Sequence, residues 1–127
     1  MDQYQRSHEK KVGSGTGGRK NKARDKKLAH MGNPFISPRV RDVEETVCMR
    51  ERGGNRKFKV KKALFINVIM KDKKAKKVKI ISVVESHNPE FVRQNVVTKG
   101  AVVNTELGKA RVMNRIGQDG LINGVLL

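Results

Sequence analysis

Tryptophan is absent from this 127-residue chain, tyrosine occurs once, phenylalanine four times and cysteine once. Each scarcity removes a class of chemistry. So few rings argue against a platform of stacked bases and leave recognition by backbone charge and shape. One thiol, Cys48, rules out a disulfide framework and a zinc knuckle made from this chain alone. With no histidine beside it to act as a base, Cys48 reads as a buried strand thiol rather than a nucleophile. His8, His30 and His87 stand apart among loop-forming residues, so no metal site, acid–base pair, cofactor or small-molecule substrate is expected. No apolar run approaches the roughly 20 residues of a spanning helix, and no segment sets a basic face against a Trp, Phe or Leu face, which argues against a membrane partner. The lack of a signal-peptide pattern leads us to expect a protein of the cell interior.

Acidic residues are also few: 12 Asp and Glu face 29 Lys and Arg, for a formal net charge of +17. Such an imbalance implies a polyanionic partner, with nucleic acid the first candidate. The cations fall into two settings. From Met1 to Asn33 the only apolar residues are Met1, Tyr4, Val12, Ala23, Leu28, Ala29 and Met31. Arg6, Lys10, Lys11, Arg19, Lys20, Lys22, Arg24, Lys26 and Lys27 there face only Asp2, Glu9 and Asp25. So little apolar surface does not offset the entropy of ordering, so this stretch is expected to lack fixed structure when alone. Lys20 to Leu28 has the composition of a short basic helix that forms on binding. Gly32-Asn33-Pro34 ends the segment, because Pro34 biases Asn33 away from helix. The expected organisation is therefore a basic extension over 1–34 and a folded body over 35–127.

Within the extension, Gly13-Ser14-Gly15-Thr16-Gly17-Gly18 matches the spacing of a phosphate-cradling G-x-G-x-x-G loop. Its context does not fit. The preceding Gln5 to Val12 contains one apolar side chain, so no buried strand delivers the glycines to a helix. Arg19 and Lys20 stand where a Walker loop needs Lys and a hydroxyl. The glycines instead keep the backbone slim and pliable between cations that follow an irregular phosphate surface.

The body reads as short strands rich in β-branched residues: Val43 to Arg50, Arg56 to Lys62, Ala63 to Met70, Lys77 to Glu85, Ala101 to Leu107, Lys109 to Asn114 and Leu121 to Leu127. Turn chemistry separates them at Gly53-Gly54-Asn55, Lys71 to Lys76, His87-Asn88-Pro89, Thr98-Lys99-Gly100, Gly108 and Gly117-Gln118-Asp119-Gly120. Only Pro89 to Gln94 looks like a helical turn. A mainly β fold is expected, a small antiparallel barrel or sandwich. Alternation sets Ala101, Val103, Thr105, Leu107, Ala110 and Val112 inward and Lys109, Arg111 and Met113 outward. Ile81 and Val83 break the alternation of Lys77 to Glu85, which suggests a strand covered on both sides.

Four stretches carry a resemblance: Arg52 to Val60 (RGGNRKFKV), Lys76 to Glu85 (KKVKIISVVE), Asn95 to Leu127, with T-K-G-A, G-K-A-R-V and G-Q-D-G in order, and the extension from Gly17 to Pro34. Together they resemble the archaeal and eukaryotic small-subunit ribosomal protein family known as eight-e, in its short archaeal form. The likeness spans nearly the whole chain. Where the family usually has Pro before G-Q-D-G, this chain has Ile116. The resemblance implies a β-barrel-like body, a basic N-terminal extension, a cytoplasmic seat on small-subunit ribosomal RNA beside neighbouring ribosomal proteins, and a single copy rather than a homo-oligomer. A related family of assembly factors is the alternative.

Candidate RNA-binding residues are the nine cations of the extension together with Arg39, Arg41, Arg52, Arg56, Lys57, Lys59, Lys99, Lys109, Arg111 and Arg115. Two readings of Arg52-Gly53-Gly54-Asn55-Arg56-Lys57 stand: a solvated hairpin turn, or a turn whose glycines admit a phosphate. Lys71 to Lys79 is likewise either a solvated tip or a phosphate ridge. Asp119 would repel phosphate, so Gly117 to Gly120 reads as a structural loop in which Asp119 closes a turn on its own backbone, with Arg115 the better contact.

Overall fold

The fold rests on β-branched runs that alternate between covered and exposed faces, punctuated by tight turns. The computed structural model describes residues 3–4 and 27–127. The chain divides into two units, Met1–Phe35 and Ile36–Leu127. In the first, β1 (Gln3–Tyr4) pairs antiparallel with β2 (Met31–Gly32), and a 3-10 turn covers Leu28–His30. Of the expected basic helix at Lys20 to Leu28, only the last two residues lie among those described: Lys27 is extended and Leu28 opens the 3-10 turn.

The second unit begins with β3 (Arg39–Val40), β4 (Glu45–Arg50) and β5 (Arg56–Ala63), which form a sheet in the order β3-β5-β4. Next come β6 (Phe65–Ile69), β7 (Ala75–Glu85), α1 (Pro89–Arg93), β8 (Val102–Thr105), β9 (Gly108–Val112), α2 (Ile116–Asp119) and β10 (Asn123–Leu126). Five of these strands close a barrel in the order β10-β6-β7-β8-β9. Its interior is lined by Ile66, Val68, Val78, Ile80, Val103 and Val112, each buried, and the same cluster takes in Val60 and Ala63 from β5. A shared apolar core thus ties the sheet to the barrel. The one buried hydroxyl on that inner face is satisfied, since Thr105 Oγ1 donates to the Gly108 carbonyl at 2.7 Å.

Four of the barrel's five pairings are antiparallel, as expected, while β6 and β10 pair parallel to close it. Ile81 is not covered on both sides; it is 58% exposed. Ile81 stays on the outward face with Lys79, and the register slip of β7 between Ile80 and Ser82 brings Val83 onto the inner face with Ile80. The Val83 N–H in this irregular stretch donates to Asn95 Oδ1 at 3.1 Å. Cys48 is exposed rather than buried. Its strand alternates as expected, but Thr46, Cys48 and Arg50 are the exposed set and Val47 and Met49 the half-buried one. Leu107 is exposed in the β8–β9 turn instead of continuing the inward row. A second helical turn, α2, occupies the stretch read as a loop. Its first residue, Ile116, is 3% exposed, and Pro is tolerated at that same helical position. Asp119 does not close on its own backbone: its carboxylate accepts from Asn114 Nδ2 at 3.1 Å.

Candidate nucleic-acid interface

Hairpin β4–β5 gathers a group of exposed cations around a tight turn. Gly53 and Gly54 take φ of 73° and 80°, a left-handed pair that side-chain-bearing residues adopt at a cost. The Glu51 N–H donates to the Asn55 carbonyl at 2.6 Å and closes the loop. Arg52 sits on the turn, and Arg56 and Lys57 open β5, all three exposed. The register adds Arg50, directly opposite Arg56, while Met49 faces Lys57. Arg50 is absent from the candidates named above, yet hairpin arithmetic makes it legible: a turn centred on Gly53 pairs residues equidistant from it.

Like charges placed directly opposite destabilise the pairing, a cost that a bound anion removes. Among the described residues no ion pair involves Arg50, Arg52, Arg56 or Lys57. Four cations elsewhere do have acidic partners. Glu45 accepts from Lys62 Nζ at 2.8 Å and Lys61 Nζ at 3.0 Å, and these two bonds hold its carboxyl below its ordinary pKa. Lys77 Nζ lies 3.7 Å from Glu44 and 4.5 Å from the centre of the Phe65 ring. Arg93 pairs with Glu90 within α1 at 3.1 Å.

The remaining candidates are dispersed. Arg39 is exposed on β3 and donates to Gln94 Oε1 at 2.9 Å. Arg41, Lys99 and Lys27 are exposed outside regular strands. Lys109 and Arg111 share the outward face of β9 as expected, and Arg115 is exposed at the N-cap of α2. Lys59 departs from the set: it is 7% exposed, on the side of β5 that faces half-buried Val47 and Met49, and does not offer its charge to a surface phosphate. The Lys71, Lys73, Lys74 and Lys76 side chains are exposed at the tip of hairpin β6–β7. Arg6, Lys10, Lys11, Arg19, Lys20, Lys22, Arg24 and Lys26 lie outside the described residues, as do His8 and the Gly13–Gly18 run. Among the described residues no group of three or more His, Cys, Asp or Glu side chains is placed to hold a metal ion, and no helix is long and apolar enough to cross a membrane.

Comparison with known proteins agrees with this architecture. A family model described as Ribosomal protein S8e matches residues 4–127. The small ribosomal subunit protein eS8 of Sulfolobus acidocaldarius is 43% identical over 129 residues, covering 100% of this chain and 98% of its own. The eS8 proteins of Pyrobaculum aerophilum and Staphylothermus marinus are 45% and 41% identical, each over 88% of this chain and over 88% and 89% of their own. A match across nearly the full length, on a closed five-stranded barrel with an outward cationic hairpin, places this chain in the ribosomal protein S8e family.

Proposed function

We propose that the protein is a structural, non-catalytic component of the small ribosomal subunit in the cytoplasm, and that it holds ribosomal RNA by phosphate-backbone and shape recognition. The observation that carries this is hairpin β4–β5, where Arg50, Arg52, Arg56 and Lys57 crowd a rigid turn. Strand-borne cations hold register on a polyanion, whereas those of a 1–34 extension add affinity by threading. Lys109, Arg111 and Arg115 form a second set of contacts. On the outward side of β10, Val125 lies beside exposed Ile69, an apolar pair that suits a neighbouring ribosomal protein.

The test is a salt series with small-subunit ribosomal RNA. Replacing Arg52, Arg56 and Lys57 by Ala lowers the slope of log affinity against log salt by about 2 to 3, at roughly 0.7–0.9 per phosphate. Deleting residues 1–33 lowers it by about 3 to 4 if half the nine cations there meet phosphates. An unchanged slope in the triple variant refutes the hairpin's role. Cosedimentation with mature subunits after a high-salt wash separates an integral component, which stays, from an assembly factor, which is released.

A further inference from the structure

We propose that the open face of hairpin β4–β5 is a seat for one unpaired RNA nucleobase, with Phe58 as its stacking surface. The inference rests on the RNA-binding reading above and specifies what that hairpin grips besides phosphate.

Phe58 is 52% exposed although it lies in the middle of a strand within a paired sheet. The register puts Cys48 directly across from it and Arg50 across from Arg56. Alternation then sets Phe58, Cys48, Arg50 and Arg56 on one face, all exposed. Cys48 is small, so nothing bulky stands opposite the ring. Same-face neighbours along a strand are about 7 Å apart and cross-strand partners about 5 Å, so Arg56 is rooted one same-face step from Phe58 and Arg50 on the diagonal beside it, with side chains long enough to reach a ligand on the ring.

The root of the side chain is also held in place. A Cβ added at Gly120 would stand 2.6 Å from Phe58 Cβ, so the end of α2 is pressed against the stem of the side chain. The backbones of Phe58 and Asp119 form an isolated bridge. Asp119 is the acid on that flank and its carboxylate accepts from Asn114, so a bound phosphate belongs on the opposite flank, with Arg50 and Arg56. An anchored aromatic ring beside two arginines accepts any base that has a free face and grips the phosphate attached to it. Bases inside a duplex have no free face, so the occupant is single-stranded: a loop, bulge or end. The scarcity of aromatic residues excludes a multi-base platform but not a single, well-placed ring. An apolar protein side chain would also cover Phe58, but the cations around the ring carry no carboxylate partner and favour a polyanion.

The full-length protein is titrated by fluorescence anisotropy with a 12-nucleotide single-stranded RNA of mixed sequence, and with an abasic chain of the same length and charge. Wild type binds the abasic chain about 5- to 150-fold more weakly, the range of one lost base–aromatic stack. Phe58→Ala loses the same factor on the normal RNA, keeps the wild-type salt slope, and no longer distinguishes the two chains. Phe58→Trp retains affinity, and its indole emission is quenched on binding. Phe58→Leu, which preserves apolar bulk against Gly120, behaves as Phe58→Ala. Equal binding of both chains by wild type, or wild-type behaviour of Phe58→Leu, overturns the nucleobase seat while leaving phosphate recognition intact. Failure of wild type to bind either chain overturns the RNA reading and the seat with it.

Discussion

Gly124 is where the barrel tolerates least. It sits on β10 between its two partners, aligned with Val68 on β6 and Val112 on β9. A Cβ there would stand 2.8 Å from Ile66 Cδ1 and 2.9 Å from the Arg111 carbonyl oxygen. The first obstacle is the end of a side chain, but Ile66 is fully buried and has little room to retreat. The second is backbone and part of the β9–β10 ladder. Gly124→Ala therefore overpacks the core and strains the strand that closes it, at a cost of about 1–3 kcal/mol. For a domain of this size that corresponds to a fall in Tm of roughly 4–20 °C. Circular dichroism melts of the full-length protein measure it. Adding Ile66→Val removes Cδ1, so the double variant costs less than the sum of the two single changes while the carbonyl clash persists. A Gly124→Ala variant that melts within about 1 °C of wild type, or strict additivity with Ile66→Val, refutes the reasoning.

Asn114 bridges α2 and β10: its Oδ1 accepts from the Asn123 N–H at 2.9 Å, and its Nδ2 donates to the Leu121 carbonyl at 2.7 Å. Asn114→Ala should cost about 1–3 kcal/mol in urea unfolding, because half-buried Asn123 loses its acceptor. Glu45 predicts a pH effect. Its pKa is lowered in the folded state by Lys62 and then Lys61, so the stabilisation is present above the unfolded value and is lost as pH falls through the folded one. The melting difference between wild type and Glu45→Gln should be seen at neutral pH and shrink as the pH falls below the ordinary carboxylate range.

The alternation of Ala101 to Val112 was legible because side-chain direction in a hairpin is a local property. It placed Lys109 and Arg111 outward and Val103, Ala110 and Val112 inward. What escaped depends on long-range covering. Alternation separates Cys48 from Val47 but does not say which of the two faces meets the core. Lys59 carries the same charge as its neighbours, and nothing in the local pattern shows that it is buried while Lys57 and Lys61 on either side are exposed. Ile81 and Val83 look like one face covered on both sides because a bulge between them shifts the period by one and brings only Val83 inward, and nothing in the residues themselves announces a bulge. The parallel pairing of β6 with β10 joins segments more than 50 residues apart, so no local signal encodes it. The hairpin was half read: the glycines named the turn, and the register supplies Arg50 and the exposed ring of Phe58.

That distant pairing also sets an order of events during synthesis. β6 emerges early, and one of its edges stays open until Asn123–Leu126 has been added. At translation rates of roughly 5–20 residues per second, the interval of about 50 residues lasts some 3–10 s. A nascent chain in that interval presents an unpaired edge, with Ile66 and Val68 without their final cover, and is at its most prone to pair with other chains. The barrel is therefore a late product of vectorial synthesis, and the cell's hazard with this protein is concentrated in its nascent rather than its mature form.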